Sequence, residues 1–158
     1  MSDTVKALKH QHLLTLRLNV GADKSAQVGV TPAGRRSIVP VHGGTFEGER
    51  LSGEVLPGGA DWVLFRADGV MQIDVRLTLK TGDDALIYLT YQGRFVGDAS
   101  ALADLAQGKT LEPSRYSLAT VAKFETGDER YFWLNNVIAV GTGEQSGFNP
   151  LYTIYEIG

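Results

Sequence analysis

The segment Val70–Lys80 constrains the fold of this chain more than any other, because hydrophobic and polar residues alternate along it without a break. One face carries Met71, Ile73, Val75, Leu77 and Leu79, and the other carries Gln72, Asp74, Arg76, Thr78 and Lys80. A repeat of two is the period of a β-strand, whereas a helix would spread the same residues around its circumference. The segment therefore predicts a long strand that packs one face against a core.

The composition is that of one globular domain built from strands. The chain has 158 residues, of which 43% are hydrophobic, and its 19 glycines exceed the typical share of about 7%. Many glycines between hydrophobic segments indicate many tight turns. A formal net charge of −3 argues against a nucleic acid partner, and the absence of cysteine rules out disulfides and thiolate metal sites.

The same pattern predicts strands along most of the chain. They are expected at Leu14–Val20, Gln27–Val30, Arg36–Val41, Leu51–Leu56, Asp61–Arg66, Ala85–Phe95, Ser114–Glu125, Arg130–Val140 and Leu151–Ile157. Gly43-Gly44 is expected to end a strand, Asp68-Gly69 to form a hairpin turn, and residues 141–150 to form a loop. One short helix is expected between Asp98 and Gly108.

Long neighbouring strands with tight turns favour antiparallel pairing, and a sheet of this size avoids open edges by closing or splitting. The predicted fold is all-β: a closed or nearly closed antiparallel barrel of about eight to ten strands with one short helix. A β-sandwich is the alternative. Residues 1–12 are expected to be a flexible lead-in, and residues 13–158 to form the single barrel domain.

An ordered set of short motifs covers almost the whole chain. Gly43-Gly44-Thr45-Phe46-Glu47-Gly48 is followed by Pro57-Gly58-Gly59-Ala60-Asp61-Trp62, Arg66-Ala67-Asp68-Gly69, Asp74-Val75-Arg76 and, later, Tyr131-Phe132-Trp133-Leu134-Asn135. The set resembles a family of small, mostly bacterial and fungal proteins known as a domain of unknown function. The resemblance implies a small antiparallel β-barrel, and it carries no catalytic residues that can be transferred.

Several kinds of site are disfavoured by the motifs. The histidines His10, His12 and His42 lack the partners of a zinc site, so no metal is predicted. No serine-hydrolase elbow occurs, and the Gly141–Gly147 segment departs from a phosphate-binding loop, so no cofactor is predicted. The first residues lack a secretory pattern and no hydrophobic run is long enough to cross a bilayer, so we expect a cytoplasmic protein without a membrane partner.

The polar face of Val70–Lys80 holds the main candidates for catalysis, Asp74 and Arg76. They point the same way, about 6–7 Å apart along a strand. In the commoner arrangement this face is solvated and the aliphatic face fills the barrel. In the alternative both charges line a polar cavity, where they need partners such as Glu54, Asp61 or Arg66.

The predicted ligand-binding set combines these charges with aromatic residues and one amide: Asp61, Trp62, Arg66, Asp74, Arg76, Trp133 and Asn135. Trp133 and Asn135 share a face if Arg130–Val140 is a strand. In this set the rings would stack on an organic ligand, while Arg66 or Arg76 would hold an anionic or carbonyl group.

Three functions follow as hypotheses. The favoured one is binding of a small organic molecule in the barrel. The second is a cofactor-independent proton-transfer enzyme of isomerase, cyclase or lyase type, with Asp74 as base and Arg76 or Asn135 stabilising an oxyanion. The third is a structural barrel without a pocket, whose outer apolar patches form contacts between copies in a homo-oligomer.

Overall fold

A computed structural model describes residues 4–158, which form ten strands and one short α-helix. The strands are β1 (His10–Val20), β2 (Ala26–Thr31), β3 (Gly34–Glu47), β4 (Ser52–Val55), β5 (Gly59–Phe65), β6 (Met71–Thr81), β7 (Leu86–Gly97), β8 (Tyr116–Glu125), β9 (Ile138–Ser146) and β10 (Asn149–Ile157). The helix α1 is Ala101–Ala106, and 3-10 turns cover Ala22–Lys24, Pro113–Arg115 and Glu129–Asn136.

The strands close into an antiparallel barrel with eight positions around its wall. From β6 to β10 each strand pairs with the next along the chain, β10 pairs with β1, and β1 pairs with β3. Both β4 and β5 lie between β3 and β6, one after the other, so they share a single position. In the same way β2 pairs with the part of β3 that β1 leaves free. The predicted closed antiparallel barrel is confirmed.

The aliphatic face of β6 fills the barrel, as the commoner of the two predicted arrangements requires. Met71, Ile73, Val75, Leu77 and Leu79 are all buried, with at most 6% of their surface exposed. The matching inward faces of the other strands complete one continuous core, which includes Leu16, Phe46, Leu89, Phe95, Phe124 and Ile154. The polar face of β6 therefore lies on the outside of the wall.

The two ends of the barrel are closed by different elements. At one end the 3-10 segment Glu129–Asn136 covers the interior and inserts Leu134, which is fully buried. At the other end, called the mouth below, α1 crosses between the end of β7 and the start of β8. Leu102 and Leu105 of α1 pack partly buried against the core. The predicted short helix is confirmed and lies over the mouth.

Two local predictions near the end of the chain are wrong. Arg130–Val140 is not one strand: Asp128 caps a 3-10 segment by accepting a hydrogen bond from the Arg130 N–H, and β9 begins only at Ile138. Residues 141–150 are not an open loop, because β9 and β10 run through them as a hairpin with its turn at Gly147. The predicted lead-in stays a prediction: β1 begins at His10, within the span 1–12, and residues 1–3 lie outside the described part.

Gly43-Gly44 was expected to end a strand, but β3 continues through both glycines. The glycines are needed there because β1 crosses very close to β3. A Cβ atom on Gly44 would lie 2.0 Å from the carbonyl oxygen of Arg17, and the residue has a φ of +154°. Glycine therefore lets β3 bend and pair with β1 at the point where the barrel closes.

Candidate functional site

The mouth holds a cavity of about 270 Å³ beneath α1. Strands β2, β3, β5, β6 and β10, the helix α1 and the turn between β9 and β10 all contribute to its walls. Most of the lining is apolar and includes Val63, Phe65, Met71, Ile73, Leu102 and Leu105. Concave, largely apolar sites with a few polar groups are typical of small-molecule binding.

Asp61 is the one carboxylate among the residues that line this cavity. It lies on β5 with Val63 and Phe65, at alternating positions that face inward. Its Oδ1 accepts a hydrogen bond from the main-chain N–H of Asp74, 3.0 Å away. The paired residues of β5 and β6 are interrupted at this point, between Asp61–Val75 and Leu64–Gln72. At this gap in the strand pairing, the Asp61 carboxyl therefore acts as the acceptor for the main-chain N–H of Asp74.

Burial raises the pKa of Asp61 from 3.8 to about 7. The main cause is loss of water around the charged form, and the nearby charge of Asp74 adds to it. The hydrogen bond from the Asp74 N–H acts in the opposite direction but is too weak to restore the ordinary value. A carboxyl with a pKa near 7 exchanges protons readily at neutral pH, which is the property of a general acid or base.

Two tyrosines lie beside Asp61 at the inner end of the cavity. Tyr152 on β10 lines the cavity itself, and Tyr91 on β7 packs against it with ring centroids 5.0 Å apart. Both are almost completely buried. Burial raises the pKa of each hydroxyl above 10, and the negative charge of Asp61 raises both further. The two phenols therefore stay protonated and can donate hydrogen bonds at any physiological pH.

Two buried polar atoms near this site lack a hydrogen-bond partner within the described chain. They are the hydroxyl of Tyr91 and Oε1 of Gln145, whose side chain lines the cavity from the end of β9. A buried polar atom without a partner costs about 1–3 kcal/mol. Within the described chain, Tyr91 thus has a donor and Gln145 an acceptor that no other group satisfies.

The outer rim of the cavity carries a positive charge. Arg35, near the start of β3, is exposed and lies with its guanidinium carbon 3.9 Å from the centre of the Phe65 ring. Next to it, the side-chain amide of Gln27 donates to the hydroxyl of Ser37. The cavity is therefore polar at both ends and apolar between them.

Of the residues predicted from the sequence, only Asp61 faces this cavity. Trp62, Asp74 and Arg76 come together on the outer surface of β5 and β6. The guanidinium of Arg76 lies 5.4 Å from the Trp62 ring, and Asp74 lines a shallow outer groove of about 240 Å³. Asp74 and Arg76 do share a face, as predicted. That face is the outer one because the aliphatic side of β6 occupies the interior.

The remaining predicted residues lie away from the mouth cavity. Arg66 sits in the turn between β5 and β6 and forms an ion pair with Asp68. Trp133 and Asn135 belong to the 3-10 segment at the opposite end of the barrel, so their predicted placement on a strand is wrong. Trp133 packs under Arg50, and Asn135 binds the main chain of Thr126 through both its oxygen and its nitrogen. These contacts give Asn135 a structural role.

Sequence reasoning missed the residues that accompany Asp61, namely Tyr91, Tyr152, Gln145 and Arg35. One signal was present: Asp61 alternates with Val63 and Phe65, so a charged group shares a face with two core residues. The tyrosines carried no such signal, since a tyrosine on a strand is an ordinary core residue. Among residues 4–158 there is no cluster of three or more metal-binding side chains, and no helix is long and apolar enough to span a membrane.

The chain belongs to the family described as a protein of unknown function, DUF3237, whose model matches residues 8–157. It is similar to a UPF0311 protein of Rhodopseudomonas palustris, with 29% identity over 150 residues that cover 95% of this chain and 97% of the relative. The predicted resemblance to a domain of unknown function is therefore confirmed.

Solved structures share the whole fold. The crystal structure of a conserved protein of unknown function from Rhodopseudomonas palustris has a TM-score of 0.91 and 27% identity, covering 98% of this chain and all of that one. A β-barrel-like protein from Acinetobacter baumannii has a TM-score of 0.84 and 36% identity, covering 99% and 100%. A protein described as an enzyme from Penicillium herquei, with 22% identity and a TM-score of 0.73 over the full length of both chains, shares the fold.

We predict that Asp61→Asn stabilises the protein at alkaline pH. Because the folded state holds a proton on this carboxyl up to about pH 7, the wild-type protein loses stability as pH rises from 4 to 7. Asparagine removes the charge and keeps the acceptor for the Asp74 N–H. In urea unfolding at pH 8, the variant should gain up to about 4 kcal/mol, and the gain should disappear near pH 4.

Asp83→Asn provides a control for which the expected change in stability at pH 8 has the opposite sign. Hydroxyls of Thr81 and Tyr131 donate to this exposed carboxylate and hold its pKa below the ordinary value, so removal of the charge should lower stability at pH 8. If Asp61→Asn also destabilised the protein at pH 8, the assignment of a buried, charge-intolerant carboxyl would be wrong.

Proposed function

We propose that this member of the DUF3237 family binds a small organic molecule in the mouth cavity, with Asp61 as the group that recognises it. The observation that carries the proposal is a single carboxyl, with its pKa raised to about 7, facing a largely apolar cavity. Burial of such a group weakens the fold, so its place in the wall calls for a role other than packing.

The walls suit a ligand whose body is apolar. Phe65, Ile73 and Leu105 approach the cavity from β5, β6 and α1 and would contact a ligand from three sides. Each Å² of apolar surface removed from water contributes about 25 cal/mol. A molecule that fills this volume can therefore gain several kcal/mol from the hydrophobic effect alone.

Polar groups around the cavity would fix the orientation of that ligand. The Tyr91 hydroxyl can donate, Gln145 Oε1 can accept, and Asp61 can do either according to its protonation state. A ligand that carries both a hydrogen-bond donor and a hydrogen-bond acceptor would satisfy atoms that now lack partners. It would recover the free energy that these atoms lose by burial.

Access to the cavity would pass the helix α1. The helix has only six residues, and a network anchors it from outside: Arg115 bridges Asp98 and Asp104, at 2.9 and 3.0 Å. Its inner side contributes Leu102 and Leu105 to the cavity roof. A helix this short, anchored in part by surface ion pairs, is among the segments that open at low free-energy cost.

Proton-transfer catalysis is the second candidate, and the pKa of Asp61 specifically favours it. The carboxylate would remove a proton from carbon next to a carbonyl group of the ligand, and the phenols of Tyr91 and Tyr152 would donate hydrogen bonds to the enolate oxygen. The carboxyl then exchanges this proton with solvent, and transfer of a solvent-derived proton from Asp61 to the enolate carbon completes the exchange. The Penicillium herquei protein is described as an enzyme, and this adds an analogy at the level of the fold only.

The proposed site assigns the acid–base role to a different residue from the one predicted from the sequence. Asp61 replaces Asp74 as the acid–base group, because Asp74 lies on the outer surface. The predicted ligand-binding role of Trp62, Asp74 and Arg76 stays a prediction, as do the cytoplasmic location and the assembly into a homo-oligomer. The binding and exchange experiments below separate the two carboxylates.

For the binding proposal we predict that 1,8-octanediol, a neutral chain with a hydroxyl at each end, binds in the mouth. Its addition should shift the amide NMR signals of residues such as Phe65, Ile73 and Gln145, which line the cavity. Asp61→Leu, which removes the hydrogen-bonding group, should weaken the affinity roughly tenfold. Asp74→Asn is the matched control on the outer face and should bind like the wild type. Shifts confined to the outer groove of Asp74 would contradict the proposal.

For the catalytic candidate we predict that the protein speeds deuterium exchange of the α-protons of 2-octanone in D2O, measured by proton NMR. The rate should rise with pH to a plateau above about pH 7, as Asp61 loses its proton. Asp61→Asn should reduce exchange to the rate in buffer, while Asp74→Asn should retain it. Equal rates with and without the protein would leave Asp61 as a binding group and refute catalysis on ketones of this kind.

A further inference from the structure

Arg35 differs from the other groups of the mouth in having a charge without a partner. Among residues 4–158, it is the one positively charged residue that lines the cavity. Arg50, Arg66, Arg115 and Arg130 each form an ion pair with a carboxylate, whereas none of the ion pairs in residues 4–158 involves Arg35. Its planar guanidinium therefore keeps its N–H donors free toward the opening of the cavity.

The Phe65 ring holds that guanidinium at the rim. The guanidinium carbon lies 3.9 Å from the ring centre, within the range of a cation–π contact. The two residues are also directly paired across β3 and β5. Stacking restricts the side chain while leaving the edge of the guanidinium, where the N–H groups lie, free to bind a planar anion.

The register of β5 sets the distance between this cation and Asp61. Asp61 and Phe65 are four residues apart on the same strand, which corresponds to about 13 Å at 3.3 Å per residue. The apolar side chains of Val63 and Ile73 line the space between them. A ligand that reaches both ends would be elongated, with polar groups at its two ends and an apolar middle.

We propose that the ligand of the mouth cavity is an elongated organic acid, whose carboxylate is bound by Arg35 at the rim while its other end lies at Asp61. This inference rests on the proposed function and adds the chemical class of the ligand. The volume of about 270 Å³ equals that of about nine water molecules, so the acid is a small metabolite rather than a long lipid.

The sign of the charges supports this orientation. An anion at the inner end would lie against Asp61 in an apolar wall, where like charges repel strongly. An anion at the rim instead meets Arg35, with which a carboxylate can form two parallel hydrogen bonds. The same carboxylate remains in contact with water, so it avoids most of the desolvation penalty of a buried ion.

Binding of 8-hydroxyoctanoate and of 1,8-octanediol, followed by isothermal titration calorimetry, tests the inference. The two probes differ only at one end, where a carboxylate replaces a hydroxymethyl group. The wild-type protein should bind the acid about tenfold more tightly than the diol at pH 7. Arg35→Gln should remove this preference, and Arg35→Lys should retain only part of it because lysine cannot form the paired hydrogen bonds.

Arg36→Gln is the matched control. Arg36 is the next residue of β3, faces the outside, and donates to the Trp62 carbonyl oxygen, 2.9 Å away. Its replacement removes the same charge from nearly the same place, so it should leave the preference for the acid intact. An unchanged preference in Arg35→Gln, or an equal loss in Arg36→Gln, would overturn the role of Arg35.

The affinity of the diol separates this inference from the proposed function. If the diol binds in the cavity as tightly as the acid, the organic-acid ligand is refuted and the binding site stands. If the diol does not bind and the acid binds only at the surface, the proposed function and the inference are both refuted. Far-ultraviolet circular dichroism of each variant confirms that a loss of binding does not reflect a loss of fold.

Discussion

The structure depends on the double pairing of β1, which hydrogen-bonds to β10 along one edge and to β3 along the other. This strand closes the sheet and leaves its inward face as one continuous apolar surface. Closure leaves the barrel with two ends. Each end has to be covered, because a barrel wall alone does not exclude water from its interior. Leu134 closes one end with a tightly packed plug, and α1 covers the other end loosely enough to leave a cavity.

Asp61 is the exception within this apolar interior, and the account of function follows from it. Its position on β5 places a carboxyl where strand pairing is interrupted and where water is scarce. Within residues 4–158, one main-chain group compensates the carboxyl, the N–H of Asp74. In the described part of the chain, the same cavity is lined by the Asp61 carboxyl, by Gln145 with its partnerless Oε1 and by Arg35, which forms no ion pair. The partnerless hydroxyl belongs to Tyr91, which packs against Tyr152 of the cavity wall. Buried polar groups that reduce stability are better explained by binding than by packing.

Most of the fold could be predicted from the sequence. The alternating pattern of β6 fits a strand and no helix, and the turn residues Asp68-Gly69 predict the hairpin before it. The 3-10 segment could not be predicted: Tyr131, Trp133 and Leu134 form an aromatic, apolar run like that of a strand. Its helical turn depends on two hydrogen bonds that only the folded chain shows: Asp128 accepts from the Arg130 N–H, and Asn135 accepts from the Thr126 N–H.

The functional site was predicted less well than the fold, because its residues come together only in the folded barrel. Asp74 and Arg76 are visible as polar residues at one strand face, but strand periodicity alone does not say which face points inward. Asp61 was identified among several candidates, while Arg35, Tyr91, Gln145 and Tyr152 come from four different strands. Their proximity depends on the closure of the barrel and on its register, neither of which is encoded in a local pattern.

The titration of the Asp61 carboxyl carbon by ¹³C NMR tests the central claim most directly. With Asp61→Asn used to assign the signal, the account predicts a midpoint near pH 7 in the protein without ligand. It also predicts that bound 1,8-octanediol moves this midpoint, because the ligand would contact the carboxyl. A midpoint near the ordinary value of 3.9, unchanged by the diol, would show a solvated surface carboxylate and contradict the account.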